Sequence, residues 1–498
     1  MMEAYKTQLL VIGGGAAGMA AAAAAAEKGI QVLVMEANAN TGGNGMFPRG
    51  VFAVDSKLQK RKLIFADKDQ VFRDCMKYSH WKIDGRIIRT LIEKSGDTIS
   101  WLMEKGVVFT DVVHHIPNQA PEVFHICSEE ENAGSVVMKA LKKFCLEKGV
   151  TILTNTRGQM LIKEDDDSIC GAYGITKDGN EVMVEAQRVI IGTGGFSGNR
   201  ELIEKYYPNF KFDEVPAGGG LRYAGDGLQM AINAGADVDG HWTMEIAAPK
   251  IKGHAPLNLQ LGKPYNVWLN SFGRRFADEG IVYNFAMAAN AVMRQPRTKV
   301  WVLFSEEMLR KNLSDGRDMI ELIHIPLNAE EKLGEALEKA QQDGIVCKAG
   351  SARDLAGFIG CDEAVIEEEI RAYNAFCLGG RDEIFAKNAD YMIPLRGTIY
   401  AVEAGCDMLI THGGIRVDER FHALNEEQLP LGRLFIAGVD FGGADADVYN
   451  VEMSGHGFGF ALNSGRIAGE EAAKEIQEEG EYSFFVDEIR RMEEEREE

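Results

Sequence analysis

Between residues 8 and 36 the chain runs apolar strand, glycine turn, alanine helix, apolar strand and acid, in that order. Gln8-Leu9-Leu10-Val11-Ile12 reads as a buried strand that leads straight into Gly13-Gly14-Gly15-Ala16-Ala17-Gly18. Gly13 permits the tight turn. Gly15 has no Cβ to hold the backbone away from a pyrophosphate, and Gly18 lets the next helix lie close on the sheet. That helix starts at Ala16 and Ala17; its free N–H groups and positive dipole end suit phosphate oxygens. Gln31-Val32-Leu33-Val34-Met35 is the second strand. Glu36 follows about 20 residues after the turn, where a carboxylate accepts hydrogen bonds from an adenosine ribose. A GxGxxG alone is a weak signal, but the complete series is the dinucleotide-binding fingerprint and predicts a Rossmann-like α/β domain.

Two more strand-to-glycine junctions lie far away in the sequence. Val189-Ile190-Ile191 runs into Gly192-Thr193-Gly194-Gly195, and Leu434-Phe435-Ile436-Ala437 runs into Gly438. Asn38 to Gly45 is a glycine-rich loop after Glu36, and Gly225-Asp226-Gly227 opens a helix to Ala234. Residues 86–105 read as a helix whose apolar pattern is interrupted at Ser95-Gly96-Asp97-Thr98. Ser135 to Lys148 reads as a second amphipathic helix, followed by a strand over Val150 to Asn155. From Leu161 to Arg188 short strands alternate with turns at Asp165-Asp166-Asp167 and Lys177-Asp178-Gly179-Asn180. The character changes near residue 238. From there to about 408 loops mix with charged helices such as Glu330 to Gln342, and this stretch reads as an inserted domain. The sheet pattern then returns. The last helix runs from Gly455 or Gly457 to Gln477, and Asp487 to Glu498 forms a charged, solvated end.

Charge and cysteines narrow the class. A formal charge of −22 over 498 residues disfavours nucleic acid and anionic membrane as partners, because both need a basic surface. With 45% hydrophobic and 26% charged residues the chain can build a large core. The eight cysteines are scattered, with no CxxC pair and no CxxCH for covalent haem, as expected of reduced thiols in the cytoplasm. No run reaches the length of a membrane span. His114, His115 and His125 have no ligand spacing with the cysteines, so no metal is expected.

Three distant strand-to-glycine junctions suit one long ligand, and FAD fits better than NAD. On these residues, together with Ala224 to Gly227, Asn270 to Phe276 and Gly465 to Gly469, the chain resembles the FAD-dependent fumarate reductase and succinate dehydrogenase flavoprotein superfamily. Urocanate reductase and 3-ketosteroid dehydrogenases belong to it. The resemblance spans nearly the whole chain. It implies a Rossmann-like FAD-binding domain with a β-meander, split into residues 1–237 and 409–498, and an inserted α+β capping domain at 238–408. The flavin positions it implies are Gly13, Gly15, Ala16, Ala17, Gly18, Glu36, Ala37, Thr41, Gly42, Gly43, Asn44, Gly45, Gly158, Thr193, Gly194, Gly195, Asp226, Gly438, Asp440, Gly455 and Gly457. At Asp440 the family usually has Glu. The last helix of the family begins beside the flavin, where its dipole stabilises negative charge on the reduced ring.

The substrate positions depart from fumarate reductase. Tyr283 stands at the offset of the family's proton-donating arginine, and Ile410 at that of a histidine. The stretch Trp242 to Pro249 at the cap entry contains no histidine where the family has one. Glu452, fourteen residues before Arg466, stands where the family has a carboxylate-binding arginine. A dicarboxylate would lose its cation and meet an anion, at a cost of several kcal/mol in a dry site. The expected activity is therefore reduction or desaturation of an activated C=C or C–C bond next to a carbonyl or carboxyl group, in a small molecule other than fumarate. Hydride would pass through flavin N5 and a proton through Tyr283. Glu452, His456 and Tyr449 are the further catalytic candidates. Asn450 and His412 are possible ligand-facing residues. Arg274 and Arg275 are expected to be a surface turn pair, and Glu279 to buttress the flavin edge. With no haem or FMN attachment site, electrons are expected from a separate reductase or from reduced flavin. A non-catalytic electron-transfer or regulatory flavoprotein, or an FAD oxidase, stays open as the alternative.

Overall fold

A computed structural model describes residues 2–117, 119–127, 133–164, 167–215, 223–315 and 329–480. The expected turn at Asp165-Asp166 and the acidic end from Asp487 lie outside the described residues.

The first sheet has the strand order His422–Leu424, Pro430–Ile436, Glu181–Ile191, Glu3–Ile12, Val32–Met35, Thr151–Leu153. The last five of these pair in parallel. Their centres are continuous apolar runs such as Leu9 to Ile12 and Val189 to Ile191, buried as a sheet covered on both faces requires. Thr156–Lys163 and Ile169–Thr176 join Glu181–Ile191 as an antiparallel meander. The fold is thus the mixed α/β arrangement with a β-meander that the sequence implied.

One pair of helices sets the geometry below the sheet. The first helix, Ala16–Glu27, is buried from Ala16 to Ala26, and the last, His456–Glu479, packs against it. The alanines of one and the glycines of the other remove the side chains that would otherwise separate their backbones.

A second, antiparallel sheet is ordered Thr243–Lys250, Ile399–His412, Val300–Ser305, Val267–Leu269, with Val346–Ala349 also pairing with Ile399–His412. The long Ile399–His412 strand leads from this sheet back to the first one, and Ile410 near its end lines the glycine-walled cleft described below. A small third sheet, Gly50–Phe52, Phe124–Ile126 and Asp111–Val113, supports the start of the last helix.

The helix expected over residues 86–105 spans Gly85–Glu104 and is continuous through Ser95-Gly96-Asp97-Thr98. The polar and small residues that interrupt its apolar pattern make specific contacts instead. A Cβ on Gly96 would stand 2.4 Å from the Val54 carbonyl oxygen. Ser95 Oγ accepts the Val54 amide at 3.0 Å, and Arg466 donates to Thr98 at 3.1 Å and pairs with Asp97 at 2.8 Å.

Candidate active site

The ends of the parallel strands open on a cleft with about 1050 Å³ of unfilled space, its mouth included. Glycine turns form its walls because the chain there must bend tightly and lie close to whatever fills it. Gly13 has φ +105°, and a Cβ on it would stand 2.2 Å from the Gly192 carbonyl oxygen. Gly18 is excluded from any larger residue by the Gly13 carbonyl oxygen, 1.8 Å from its Cβ position. At Gly15 a Cβ would meet nothing within 4 Å, so this backbone faces the open cleft. The helix starting at Ala16 has no side-chain cap and no acid in its first turn, which leaves its amides for a bound anion.

Glu36 lines the same cleft. Its carboxylate accepts the Gly14 and Asn38 amides, both at 2.7 Å, and retains lone pairs for ribose hydroxyls. The cleft is also lined by Gly13, Ala16, Ala17, Ala37, Gly43, Asn44, Gly45, Gly158, Thr193, Gly194, Asp226, Gly438 and Gly457. The last helix likewise lacks a side-chain cap and presents Gly457, Phe458 and Ala461 to the cleft, so two helix N-termini converge on it.

The other expected flavin positions do not line this cleft; they shape it. Gly18 sets the packing of helix on sheet. Gly42 donates its amide to the Gly14 carbonyl at 2.8 Å, and Thr41 packs beside Gly14. Asp440 is buried, with both carboxylate oxygens taken by the protein: it accepts the amide of Thr193, the Thr193 hydroxyl at 3.0 Å and the amides of Gly194 and Gly195 at 3.0 and 2.9 Å. Burial pushes its pKa up, and those backbone donors oppose the shift. Gly455 has φ +78° and packs on Phe124 and Phe52.

Sequence reasoning missed Arg157 and Tyr223. Arg157 lines the cleft and clamps Asp226 with two 2.7 Å bonds; its only signal was its place beside Gly158. Tyr223 accepts the Asn44 amide at 3.0 Å and packs on Gly194 and Gly43. Burial, with the charges of Glu36 and Asp440, raises its phenol to about 12.

Where the second sheet meets the first, segments far apart in sequence build a buried acid–imidazole chain. Asp445 accepts from His412 Nδ1 at 3.2 Å and from His456 Nε2 at 3.0 Å. His456 Nδ1 lies 3.1 Å from the Met453 carbonyl. Tyr449 stacks on His456 at 4.3 Å between centroids, with Phe285 stacked at 5.9 Å. Burial alone would raise Asp445 and lower His412. The paired histidines instead hold Asp445 far below the usual carboxylate range, and the hydrogen bond that His412 donates to Asp445, with the negative charges of Asp445 and Glu245, brings His412 to about 9.

Tyr449 also lines an outer cavity of about 980 Å³, its mouth included, walled by Tyr206, Tyr207, Phe210 and Trp242. Tyr206 and Trp242 stack at 4.0 Å. Glu452 lies in a smaller recess with Asp74, His114 and Asn450; it is half-buried, and burial followed by the Asp74 charge raises its pKa. Tyr283 ends a short helix over Glu279–Tyr283, half-buried, its ring 6.0 Å from that of Tyr391. Its neighbour Asn284 donates to Tyr78 at 3.3 Å, and Tyr78 donates to the Tyr449 carbonyl at 3.2 Å.

Two expectations need correction. Arg275 is no surface residue. It is buried and pairs with Glu279 at 2.8 Å and Asp382 at 2.9 Å, while Lys387 reaches Glu279 at 3.0 Å. Glu279 therefore does not buttress the flavin edge; fully buried, it holds this charge cluster and accepts the Trp268 amide at 3.1 Å. The alternation of charges after a turn looked like surface, but the partners at 382 and 387 come from about a hundred residues away. Arg274 is half-exposed and pairs with Glu368. Among the described residues no group of histidine, cysteine and acidic side chains could hold a metal ion, and no helix is long and apolar enough to cross a membrane.

A cleft at the carboxyl ends of parallel strands, lined by open glycine backbone, two uncapped helix N-termini and the Glu36 carboxylate, defines a dinucleotide-binding flavoprotein, and the residues present fit FAD. The model of the FAD binding domain family matches residues 8–449, and the chain belongs to that family, as an FAD-dependent oxidoreductase of the fumarate reductase flavoprotein type. It is 31% identical over 488 residues to a vinyl phenol reductase of Lactiplantibacillus plantarum, covering 94% of this chain and 96% of that one. It also resembles the open conformation of a flavocytochrome c3 fumarate reductase, with TM-score 0.74, 25% identity and coverage of 95% of this chain and 79% of that. A 3-ketosteroid-Δ4-(5α)-dehydrogenase from Rhodococcus jostii shares the fold, with TM-score 0.75 at 21% identity over 94% and 97% of the two chains.

Proposed function

We propose that the chain reduces, or in the opposite direction forms, a C=C bond conjugated to an aromatic or carbonyl group in a neutral, planar molecule. The single observation behind this reading is the chemistry of the junction. Its outer cavity is walled by stacked aromatic rings, the acids Glu245 and Asp445 lie behind it around His412, and Glu452 stands in a separate recess. Such a site repels a dicarboxylate and favours a flat apolar body. The full-length likeness to a vinyl phenol reductase points the same way.

Residues 1–237 and 409–498 form the flavin part, and 238–408 the cap. Glu36, Gly13, Gly15 and the two helix N-termini hold the cofactor. Bound FAD supplies hydride transfer at its N5. Tyr283 Oη delivers the proton to the other alkene carbon when the cap closes. Tyr449, His456 and Glu452 surround the substrate and exclude water. Electrons come from a separate reductase or from free reduced flavin, and the protein works in the cytoplasm.

The test is anaerobic. Dithionite-reduced holoprotein is mixed with 4-vinylphenol, a cyclic enone, a 3-ketosteroid and fumarate, and reoxidation is followed in the flavin absorbance. Rapid reoxidation by one neutral acceptor and none by fumarate is expected. Reoxidation by fumarate alone, or by none of the four, sinks the reading. With a reactive acceptor, Tyr283→Phe retains FAD and loses most of the rate if Tyr283 carries the proton.

A further inference from the structure

The acid–imidazole chain has one loose end. His412 Nδ1 is held by Asp445, but Nε2 is buried without a hydrogen-bond partner among the described residues. It points at Glu245 Oε2 across 4.0 Å. That separation is too long for a direct hydrogen bond. An oxygen placed about 2.8 Å from both atoms would close it, with an angle of about 90° at that oxygen.

The location of the gap matters as much as its width. Thr243 and Tyr449 line the outer cavity, and Thr243 is the register partner of His412. Ile410 and Gly457 line the flavin cleft on the other side. Gly457 keeps the way between them open: a Cβ there would stand 3.1 Å from Tyr449 Oη and 3.8 Å from His412 Cε1. His412 and Glu245 line neither cavity directly; the gap lies behind Thr243, Tyr449 and Gly457, between the outer cavity and the cleft.

The groups on its rim fix the chemistry of the missing atom. Glu245 only accepts hydrogen bonds. His412 faces Asp445 and Glu245, with His456 behind Asp445 and the Tyr449 ring alongside, and these acids keep its ring charged and donating at neutral pH. The bridging atom must accept from one side and donate to the other. A hydroxyl does both; an ether or ketone oxygen cannot donate, a carboxylate is repelled by Glu245, and an ammonium cannot accept.

We propose that His412 and Glu245 are the polar anchor of the substrate site and select a neutral hydroxyl, as in a phenol, on the molecule whose double bond faces the flavin. The inference rests on the reading above that this junction holds the substrate. The carbon skeleton lies against Tyr449 and the aromatic wall, and the hydroxyl replaces the hydrogen bonds it gave to water.

Saturated ligands test the anchor without any reaction. Oxidised holoprotein is titrated with 4-ethylphenol and 4-ethylanisole, and Kd is read from the perturbation of the flavin absorbance. The wild type is expected to bind the phenol at least tenfold tighter than the ether. Glu245→Met and His412→Gln should each remove that preference, leaving FAD content and the affinity for the ether within twofold. Because His412 also holds Asp445, Glu245→Met carries the test should the histidine variant not fold. Equal affinity for the two ligands in the wild type overturns the proposal. So does a preference that survives Glu245→Met, which would mean that the gap holds a resident water only. Reoxidation by no alkene, combined with a phenol preference that Glu245→Met removes, would instead fault the proposed reaction and leave the anchor standing.

Discussion

Gly465 of the last helix lies so close to Ala17 of the first that a Cβ on it would stand 2.0 Å from the Ala17 carbonyl oxygen. One turn further on, Gly469 meets the Ala21 carbonyl in the same way, at 2.4 Å. This close crossing puts the N-termini of both helices at one cleft. Helix position, and so the geometry offered to the cofactor, depends on two residues having no side chain.

Gly465→Ala is accordingly expected to push the helices apart, destabilising the protein by about 1–3 kcal/mol. FAD affinity should fall with it, because Gly457 and Phe458 move with the helix. Urea unfolding midpoints and the flavin absorbance of the purified protein measure the two effects. A variant that unfolds and loads like the wild type would show that the crossing has slack.

Gly15 should separate stability from binding. Its Cβ position is empty space and its φ of −77° suits any residue. Gly15→Val is expected to leave the unfolding midpoint of the apoprotein within about 0.5 kcal/mol. It should also weaken FAD binding at least tenfold, because the branched side chain occupies the path of the pyrophosphate. Gly18→Ala is the contrast: it should destabilise the apoprotein itself. Unchanged FAD affinity in Gly15→Val would place the phosphates elsewhere.

The pH dependence of stability should report His422. Its ring bridges Asp418 at 2.8 Å and Glu475 at 2.7 Å, tying the strand His422–Leu424 to the last helix. Burial opposes its charge, but the two carboxylates win and raise it from 6.5 to about 9. For a raised base the stabilisation is complete below pH 6.5 and disappears as pH rises through about 9. Asp418 and Glu475 are shifted the other way, so their share is lost only as pH falls through their lowered values. Between pH 6.5 and 9 the wild type should lose on the order of 2 kcal/mol through His422. His412, also near 9, adds a loss of the same sign. His422→Gln should flatten this slope in part. An unaltered slope in calorimetric Tm against pH would remove His422 from the account.

Much of the flavin cleft was legible in the sequence because its requirements are local. A tight turn after a buried strand, a backbone that must approach phosphate and a helix that must lie close on a sheet each demand glycine at a fixed offset from the strand. Gly13, Gly15, Gly18 and Glu36 could therefore be placed from a short window. The second and third strand-to-glycine junctions repeat the same local logic at Thr193-Gly194 and Gly438.

What stayed hidden depended on which residues meet across the chain. Arg275 had the look of a surface turn residue and Glu279 of a buttress to the flavin edge, until Asp382 and Lys387 closed around them. Asp440 carries an acceptor in any reading, yet only packing decides that the Gly194 and Gly195 amides consume it.

By itself, then, the sequence determined the α/β class and the cofactor, since backbone sterics over a few residues leave glycine no substitute at such turns. Only the tertiary structure decided that Glu245, His412, Asp445 and His456 share one buried site. Their approach is set by sheet register and helix crossing, which sum contacts from the whole chain and leave no periodic mark on any one stretch of it.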